Sequence, residues 1–244
     1  MGMSVNTNVG AMLALQNLNK SNKMLETTQL HITTGLKVNG PKDDAATYAI
    51  AQRMRGDIAG MGAVKTALSN GEATVNVAIT AGKAVADMLT EMKAKTVQAN
   101  QAGLDTASKD ALQNDFTSLR DQLTTIVQTA EFNGKNLITS TATSLTVLST
   151  VDGSSISVAA QKLDTTTLGI NASNISSGAS AALVAIDAAI NTVTSSLASM
   201  GSSSKRIDVQ SEFTVQLVDI LKEGVGNLVD ADLAEESAAL QSLQ

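Results

Sequence analysis

Apolar side chains recur at intervals of three and four positions along most of the chain, a pattern typical of amphipathic helices. Five segments follow it: residues 4–34, 44–100, 106–130, 179–226 and 228–244. Each apolar stripe needs a partner to cover it, and small side chains let long helices approach closely. The pattern therefore predicts a mainly α fold, an elongated bundle of long coiled-coil-like helices.

The first segment carries a heptad stripe that needs a partner helix. The apolar members of this stripe are Leu15, Leu18, Leu25, Ile32 and Leu36, with Asn22 and Gln29 as polar members. The run Asn6-Thr7-Asn8 precedes the stripe, and its side chains are candidates for the helix N-cap.

Two later segments also predict a defined buried face. In 179–226 the spacing is 3-4-3-4-3 over Leu183, Ile186, Ile190, Val193, Leu197 and Met200. In 106–130 the helical face is formed by Ala111, Leu112, Leu119, Leu123, Ile126 and Val127. The glycines within 44–100 lower helix propensity, so we expect them where backbones pack closely or where the helix bends.

The pattern changes to alternation between Leu137 and Ile170. One alternating run spans 145–150, a second spans 156–158, and Asp152-Gly153 lies between them. Two β-rich runs around Asp-Gly predict one small β-hairpin region. Serine and threonine are dense in 139–150 and 173–180, which we expect to be exposed and available for O-glycosylation.

The segment Thr34–Arg55 predicts a hinge between two helices. It interrupts helical continuity with two glycines and the only proline, namely Gly35, Gly40 and Pro41. Asp43 and Asp44 then precede good helix formers, where carboxylates accept free backbone N–H groups and complement the helix dipole. The hinge joins either two helices of one core or two separate layers, and the local pattern allows both.

Composition excludes several kinds of chemistry. There is no cysteine, so disulfides and thiolate metal sites are excluded. His31 is the only histidine, which excludes a His-rich metal site and an H-E-x-x-H metallopeptidase motif. Because helix capping also explains Asp43-Asp44, we predict no catalytic residue, no metal and no cofactor.

The charge is negative overall and unevenly distributed. The net charge of −6 argues against nucleic acid as a partner. The first 55 residues carry the bases Lys20, Lys23, Lys37, Lys42, Arg53 and Arg55, whereas residues 207–244 carry eight acids and one base. These ends should attract each other weakly. We find no apolar run of membrane-spanning length and no conventional signal peptide, so no membrane insertion is predicted.

Several motifs occur together in a diagnostic order. They are Asn6-Thr7-Asn8, Thr34-Gly35-Leu36-Lys37-Val38, Lys42-Asp43-Asp44-Ala45-Ala46, Phe132-Asn133-Gly134-Lys135, Thr167-Leu168-Gly169-Ile170 and the run 228–236, LVDADLAEE. In this order the motifs resemble those of bacterial flagellin along nearly the whole chain. The chain departs from the family pattern by lacking room for large outer domains, by having Tyr48 in place of the usual glycine, and by ending earlier.

The resemblance implies a structural subunit of the flagellar filament, exported unfolded by type III secretion and located outside the cell. It implies an inner-tube helix at 1–36, an outer-core helical rod at 37–229 with the hairpin near 137–170, and the start of a truncated C-terminal inner-tube helix at 230–244. The expected partners are other copies of the chain, an export chaperone, the secretion apparatus, and cap and junction proteins. The alternatives are a hook–filament junction protein and a surface adhesin or glycan-binding homologue.

The resemblance also assigns residues to filament assembly. These are Leu15, Leu18, Leu25, Ile32, Leu36, Asp43, Asp44, Ile50, Asp230, Asp232 and Leu233. Because the partner of the first stripe is expected to be truncated, we expect residues 1–35 to be mobile or packed non-natively, and stable filaments not to form from this chain alone.

An immune-receptor contact is expected to be altered. Receptor-active flagellins carry L-Q-R-V-R-E-L-A-V-Q where this chain has residues 89–98, LTEMKAKTVQ. The anchor arginine is then replaced by Glu91 and the anchor leucine by Lys95. Spaced i to i+4, these two residues could also form a simple surface ion pair.

Overall fold

The computed structural model describes residues 8–243, and within them the chain is mainly helical. The helices are Val9–Thr34 (α1), Ala45–Ala99 (α2), Thr106–Thr129 (α3), Ile175–Val229 (α4) and Leu233–Leu243 (α5). Between α3 and α4 lie the short strands Glu131–Phe132 (β1), Lys135–Asn136 (β2), Leu145–Leu148 (β3) and Ser155–Val158 (β4). The predicted mainly α fold with a small β region is confirmed.

The described residues form two compact units. Unit 1 contains residues 8–60 together with 216–243, and unit 2 contains Met61–Val215. Each unit has a buried apolar cluster of its own. The layer boundaries expected near residues 37 and 230 describe a filament, and they stay a prediction.

Helix α2 contributes a buried stripe to the core of unit 2. Its members alternate by four and three positions: Val64, Leu68, Gly71, Val75, Ala78, Gly82, Val85, Leu89, Met92, Thr96 and Ala99. This spacing averages 3.5 residues and is the repeat of coiled-coil packing. The one buried hydroxyl near the end of the stripe is satisfied locally, because Thr96 donates to the carbonyl of Met92 at 2.7 Å.

Two glycines of this stripe mark close approaches, as the sequence predicts. A Cβ atom at Gly71 would lie 2.5 Å from the side chain of Val147, and one at Gly82 would lie 3.0 Å from Leu197. Helix α2 continues through both positions. The glycines therefore admit neighbouring side chains and do not end the helix.

The face that α4 buries is rotated about the helix axis relative to the predicted face. Ile186, Val193 and Met200 are buried as expected. The second line of buried positions is Ala182, Ala189 and Ser196, whereas Leu183, Ile190 and Leu197 are half-buried. Small side chains at the centre of the contact let neighbouring helices approach α4 more closely than leucines would.

The start of α4 was misplaced by the sequence pattern. The helix begins at Ile175, ahead of the predicted position 179, and its backbone is non-helical at Gly178 (φ −139°, ψ 41°). One helical turn therefore precedes a kink. The Ser/Thr-rich segment 173–180 is thus partly helical, and most of it is exposed or half-buried, with Ile175 buried.

The predicted hairpin is confirmed, and a second strand pair accompanies it. β3 pairs antiparallel with β4, with Val147 opposite Ile156, and Gly153 in the connection has φ +90°. β1 pairs with β2 across Asn133-Gly134, which the sequence indicated only as a turn after α3. Both turns use residues that tolerate positive φ.

Helix α4 also meets the length and hydropathy criteria for a membrane span. One 18-residue window has a mean hydropathy of 1.4, and 28% of that window is buried in the protein. The sequence-based statement that no segment approaches a membrane span was therefore too strong. Residues along one side of α4 belong to the buried cluster of unit 2.

Candidate assembly surface

The hinge closes onto the end of α4 through backbone hydrogen bonds within unit 1. The amides of Lys37 and Val38 donate to the carbonyl of Val229 at 2.7 and 3.2 Å, and the amide of Ala231 donates to the carbonyl of Gly35 at 2.9 Å. Leu36 and Asp230 form the corresponding isolated antiparallel bridge. We call these two paired segments, 35–38 and 229–231, the clasp.

A small apolar cluster lies beneath the clasp. Its buried members are Val38, Ala51, Val225 and Val229, and Leu36, Tyr48, Met54, Ile58 and Leu228 pack against them. A Cβ atom at Gly224 would lie 2.9 Å from Cε of Met54, so this glycine leaves room for the methionine. The clasp is thus supported by side chains from α2 and α4.

Helix α1 ends at the clasp with a left-handed glycine. Gly35 has φ +71°, and its amide donates to the carbonyl of His31 at 2.8 Å. At the other end, the Asn8 side chain accepts from the amides of Gly10 and Ala11. The predicted N-cap is therefore confirmed at Asn8, while Asn6 and Thr7 lie outside the described residues.

The paired aspartates have separate roles. Asp43 Oδ2 accepts from the amides of Asn39 and Gly40, both at 3.0 Å, and holds the turn. Asp44 Oδ1 accepts from the amides of Ala46 and Thr47 and caps α2. The prediction of helix capping is confirmed for Asp44, whereas Asp43 bonds to amides of the preceding turn and does not cap α2.

Acid should weaken the start of α2. The hydrogen bond from the Thr47 hydroxyl lowers the pKa of Asp44 below its ordinary value, and the bond from the Thr47 backbone amide lowers it further by a smaller amount. A lowered pKa in the folded chain means that the stabilisation is complete above about pH 4 and is lost as pH falls through the folded pKa. We expect Asp44→Ala to lower Tm at neutral pH, whereas Asp44→Asn keeps a capping side chain.

Thermal melts of the three proteins at neutral and acidic pH check this expectation. On acidification the Tm of Asp44→Asn should fall less than that of the unsubstituted chain, because the asparagine side chain does not titrate. An equal decrease in Asp44→Asn and in the unsubstituted chain would show that the Asp44 carboxylate does not contribute.

Helix α5 packs on the C-terminal part of α1. Asp232 caps α5 by accepting from the amides of Ala234 and Glu235. His31 Nδ1 lies 2.7 Å from Glu236 Oε1, and their side chains are only 13% and 20% exposed. The expectation that residues 1–35 lack a native partner is therefore wrong for this part of α1.

Among the described residues, the one side-chain hydrogen bond between the basic and acidic ends is this His31–Glu236 bond, which is an ion pair only when His31 is protonated. Next to it, Lys20, Lys23, Met24, Thr27 and Thr28 line a shallow groove of about 330 Å³. None of the six bases named for the N-terminal end forms a salt bridge with the acidic end in the described residues, so the expected attraction is not seen as ion pairing. The structural assignment of His31 is consistent with its low exposure.

Helix α1 presents apolar side chains to solvent, most of them in its N-terminal half. Seven large apolar residues of this helix are between 44% and 76% exposed: Val9, Met12, Leu13, Leu15, Leu18, Met24 and Leu30. Thr28 is its only buried residue. An apolar surface of this extent on one helix is typical of a protein–protein contact site.

The residues assigned to assembly fall into two groups. Leu15, Leu18, Ile50 and Leu233 are at least half exposed and are free to contact another molecule. The others are half-buried on α1 (Leu25 and Ile32), form the clasp bridge (Leu36 and Asp230), or accept backbone amides at a turn or helix start (Asp43, Asp44 and Asp232). The second group has an intrachain role that local patterns only partly indicated.

The two residues expected at the altered immune-receptor contact lie on the surface of unit 2. Glu91 is exposed, and Lys95 is half-buried. Lys95 Nζ bonds to Asp115 Oδ2 of α3 at 2.7 Å, and this bond raises the pKa of Lys95. The simple Glu91–Lys95 pair is therefore not the salt bridge formed, although Glu91 adds to the favourable potential at Lys95.

No group of three metal-ligating side chains occurs in the part of the chain that the structure describes. Every buried side-chain nitrogen or oxygen there has a hydrogen-bond partner. What the described residues do supply is a set of helix caps and exposed apolar surfaces.

Comparisons with known proteins agree with this picture. Residues 5–143 match the bacterial flagellin N-terminal helical region, and residues 183–244 match the bacterial flagellin C-terminal helical region. Flagellin FljM of Caulobacter vibrioides is 45% identical over 244 residues, covering 99% of this chain and 89% of the relative. Flagellin C of Rhizobium meliloti is 32% identical, covering 99% and 91% respectively.

Two solved structures share the fold. Bacillus cereus flagellin superposes with a TM-score of 0.54 at 20% identity, covering 59% of this chain and 86% of that one. A putative flagellar hook-associated protein from Vibrio parahaemolyticus gives 0.64 at 15% identity, covering 77% of this chain and all of that one. At these identities the likeness concerns the fold alone. The family matches and the relatives together show that this chain belongs to the bacterial flagellins, the extracellular structural subunits of the flagellar filament.

Proposed function

We propose that the exposed apolar surface of α1 is the contact through which this subunit enters the filament. The observation that carries the proposal is the exposure of Leu15 and Leu18, at 61% and 57%, on a helix whose C-terminal part is already covered by α5. Burying a leucine side chain contributes about 1.5–3 kcal/mol. Repeated in every subunit, two such contacts would add to the free energy that favours polymerisation.

The clasp has a supporting role in this proposal. Its backbone hydrogen bonds fix the exit of α1 from the clasp, because the carbonyl of Gly35 accepts from Ala231 and the amides of Lys37 and Val38 donate to Val229 at the end of α4. Two neighbouring subunits can keep a constant register only if this exit is the same in each. A head-to-tail contact that does not close on itself then generates a helical filament.

We further propose a layered subunit that acts without catalysis. Residues 1–36 and 230–244 would form the inner layer and residues 37–229 the outer layer. The chain would leave the cell unfolded through the type III apparatus with an export chaperone and meet cap and junction proteins at the filament. The single histidine, already engaged by Glu236, and the absence of cysteine support a purely structural role.

Charged substitutions in the α1 surface should block polymerisation. We expect Leu15→Asp/Leu18→Asp to raise the critical concentration for seeded growth at least about tenfold, since more than 1.4 kcal/mol of contact free energy is lost. Asn17→Asp is the matched control, because it adds a carboxylate to the same helix away from the stripe. The measurement is sedimentation of the full chain with sheared filament seeds, with electron microscopy of the pellet.

Two results would contradict the proposal. One is growth of Leu15→Asp/Leu18→Asp at the critical concentration of Asn17→Asp. The other is failure of the unsubstituted chain to add to seeds at all; the prediction that the chain alone does not form stable filaments concerns unseeded growth and is tested separately. Circular dichroism of the soluble chains separates a folding defect from an assembly defect.

A further inference from the structure

The chain contains three Asn-Gly pairs, at Asn39-Gly40, Asn70-Gly71 and Asn133-Gly134. Asparagine followed by glycine is the sequence most prone to deamidation, because glycine leaves the following backbone amide unhindered. From local sequence alone, the three asparagines should therefore deamidate at comparable rates. The fold gives each pair a different environment.

The first pair is protected by a hydrogen bond. The Gly40 amide donates to the Asp43 carboxylate at 3.0 Å, and the same oxygen accepts from the Asn39 amide. An amide bound to a carboxylate holds its proton more tightly and is a weaker nucleophile. A charge-assisted hydrogen bond of this kind reduces the population of free amide about tenfold or more.

The second pair is protected by the helix and by packing. Asn70 and Gly71 lie inside α2, where the backbone amides are committed to the helical ladder. A Cβ atom at Gly71 would lie 2.5 Å from Val147, so the backbone has no space in which to rearrange. Ring closure here requires α2 to open locally within the core of unit 2.

The third pair has neither form of protection. Asn133 and Gly134 form the two-residue connection between β1 and β2, with φ of +50° and +72°. Both residues are exposed, and no atom lies within 4 Å of a Cβ built at Gly134. Among the hydrogen bonds of the described residues, the Gly134 amide donates to no acceptor.

We propose that Asn133 is a site of spontaneous deamidation, at which the folded subunit gains a negative charge. The Gly134 amide nitrogen loses its proton to hydroxide and attacks Cγ of Asn133. A new C–N bond closes a succinimide ring, and the side-chain nitrogen leaves as ammonia. Water then opens the ring to aspartate or isoaspartate, so that one water is consumed and one ammonia released with no change of oxidation state.

The product changes the turn in two ways. Aspartate places a carboxylate between Glu131 and Lys135 at the surface of unit 2. Isoaspartate moves a methylene group from the side chain into the backbone, which lengthens a two-residue connection whose register is Phe132 opposite Lys135. Because subunits in an extracellular filament are not refolded, the modified fraction should increase with the age of the filament.

The test is peptide mapping of the full chain after incubation at mildly alkaline pH. Mass spectrometry follows the exchange of amide NH₂ for OH in the three peptides. We expect Asn133 to convert at least about tenfold faster than Asn39 and Asn70 in the folded chain. In concentrated urea the three rates should converge, because the sequence context is then the only influence.

A variant tests the reason for the contrast. Asp43→Ala frees the Gly40 amide and should raise the rate at Asn39 towards that at Asn133, whereas Asp57→Ala removes a carboxylate elsewhere in unit 1 and should change neither rate. Circular dichroism confirms that both variants keep their helices. The proposal is overturned if Asn133 stays intact in the folded chain, if Asn39 or Asn70 reacts as fast, or if the order of rates is unchanged in urea.

Discussion

Phe116→Ala should destabilise the protein by about 3–5 kcal/mol, the usual cost of truncating a buried phenylalanine. Phe116 is fully buried in α3 and is among the largest fully buried side chains of the described chain. It belongs to the same cluster as Met92 of α2 and Ile186 of α4. Since domains are stable by only about 5–15 kcal/mol, the loss is a large share of the total.

The chain offers a matched control for this substitution. Phe213 is 55% exposed on α4, so Phe213→Ala removes the same atoms from a site that already contacts water. We expect its effect on the free energy of unfolding to stay within about 0.5–1 kcal/mol. Urea unfolding followed by far-ultraviolet circular dichroism measures both variants. Equal losses would mean that Phe116 does not fill the core of unit 2.

Phe116 also shows where the sequence pattern was incomplete. The predicted face of the segment 106–130 included Leu123 and Val127, which are buried, but omitted Phe116 and included Ala111, which is exposed. A helical stripe drawn from aliphatic residues alone follows their spacing and can exclude an aromatic residue beside it. The helix itself was predictable because its periodicity is local.

The rotation of α4 has a related cause. Its leucines and isoleucines indicated one stripe, but Ala182 and Ala189 occupy the buried centre. Hydrophobicity ranks leucine above alanine, whereas a close helix contact favours the smaller side chain. The α2 stripe was hidden for the same reason, because Gly71, Gly82 and Thr96 interrupt it when only large apolar residues are counted.

The clasp could not be predicted from local patterns. Its hydrogen bonds join Gly35, Lys37 and Val38 to Val229 and Ala231, at opposite ends of the sequence. Backbone amides carry no sequence signal of their partners, so only the glycine and the aspartate caps beside the clasp were visible. The resemblance to flagellin supplied the long-range pairing of the termini that periodicity alone left open.

The unsubstituted chain should activate the flagellin-sensing Toll-like receptor roughly a thousandfold less than a receptor-active flagellin. If the family's receptor-contacting stretch aligns on Val97-Gln98, as the resemblance implies, Glu91 stands at the anchor arginine and Lys95 at the anchor leucine. Truncating a hot-spot anchor costs about 2 kcal/mol or more, and each 1.4 kcal/mol is a factor of ten in affinity. A reversed charge adds repulsion to the lost contact.

At the second anchor position, the ion pair of Lys95 is a further obstacle to receptor binding. Lys95 is bonded to Asp115 at 2.7 Å, and the raised pKa keeps its ammonium group charged. A receptor surface built for leucine would have to break this ion pair and desolvate both charges. Glu91 remains exposed beside it, so the charge reversal faces any partner that approaches this side of α2.

Restoring both anchors should therefore recover signalling. We expect Glu91→Arg/Lys95→Leu to raise potency in a reporter-cell assay at least about tenfold, with each single variant recovering less. Lys93→Leu is the matched control, because Lys93 also forms a surface ion pair, with Asp187 at 2.7 Å, but occupies neither anchor position. Full potency of the unsubstituted chain would contradict the assignment, as would an equal gain from Lys93→Leu, since both would place the receptor contact away from Glu91 and Lys95.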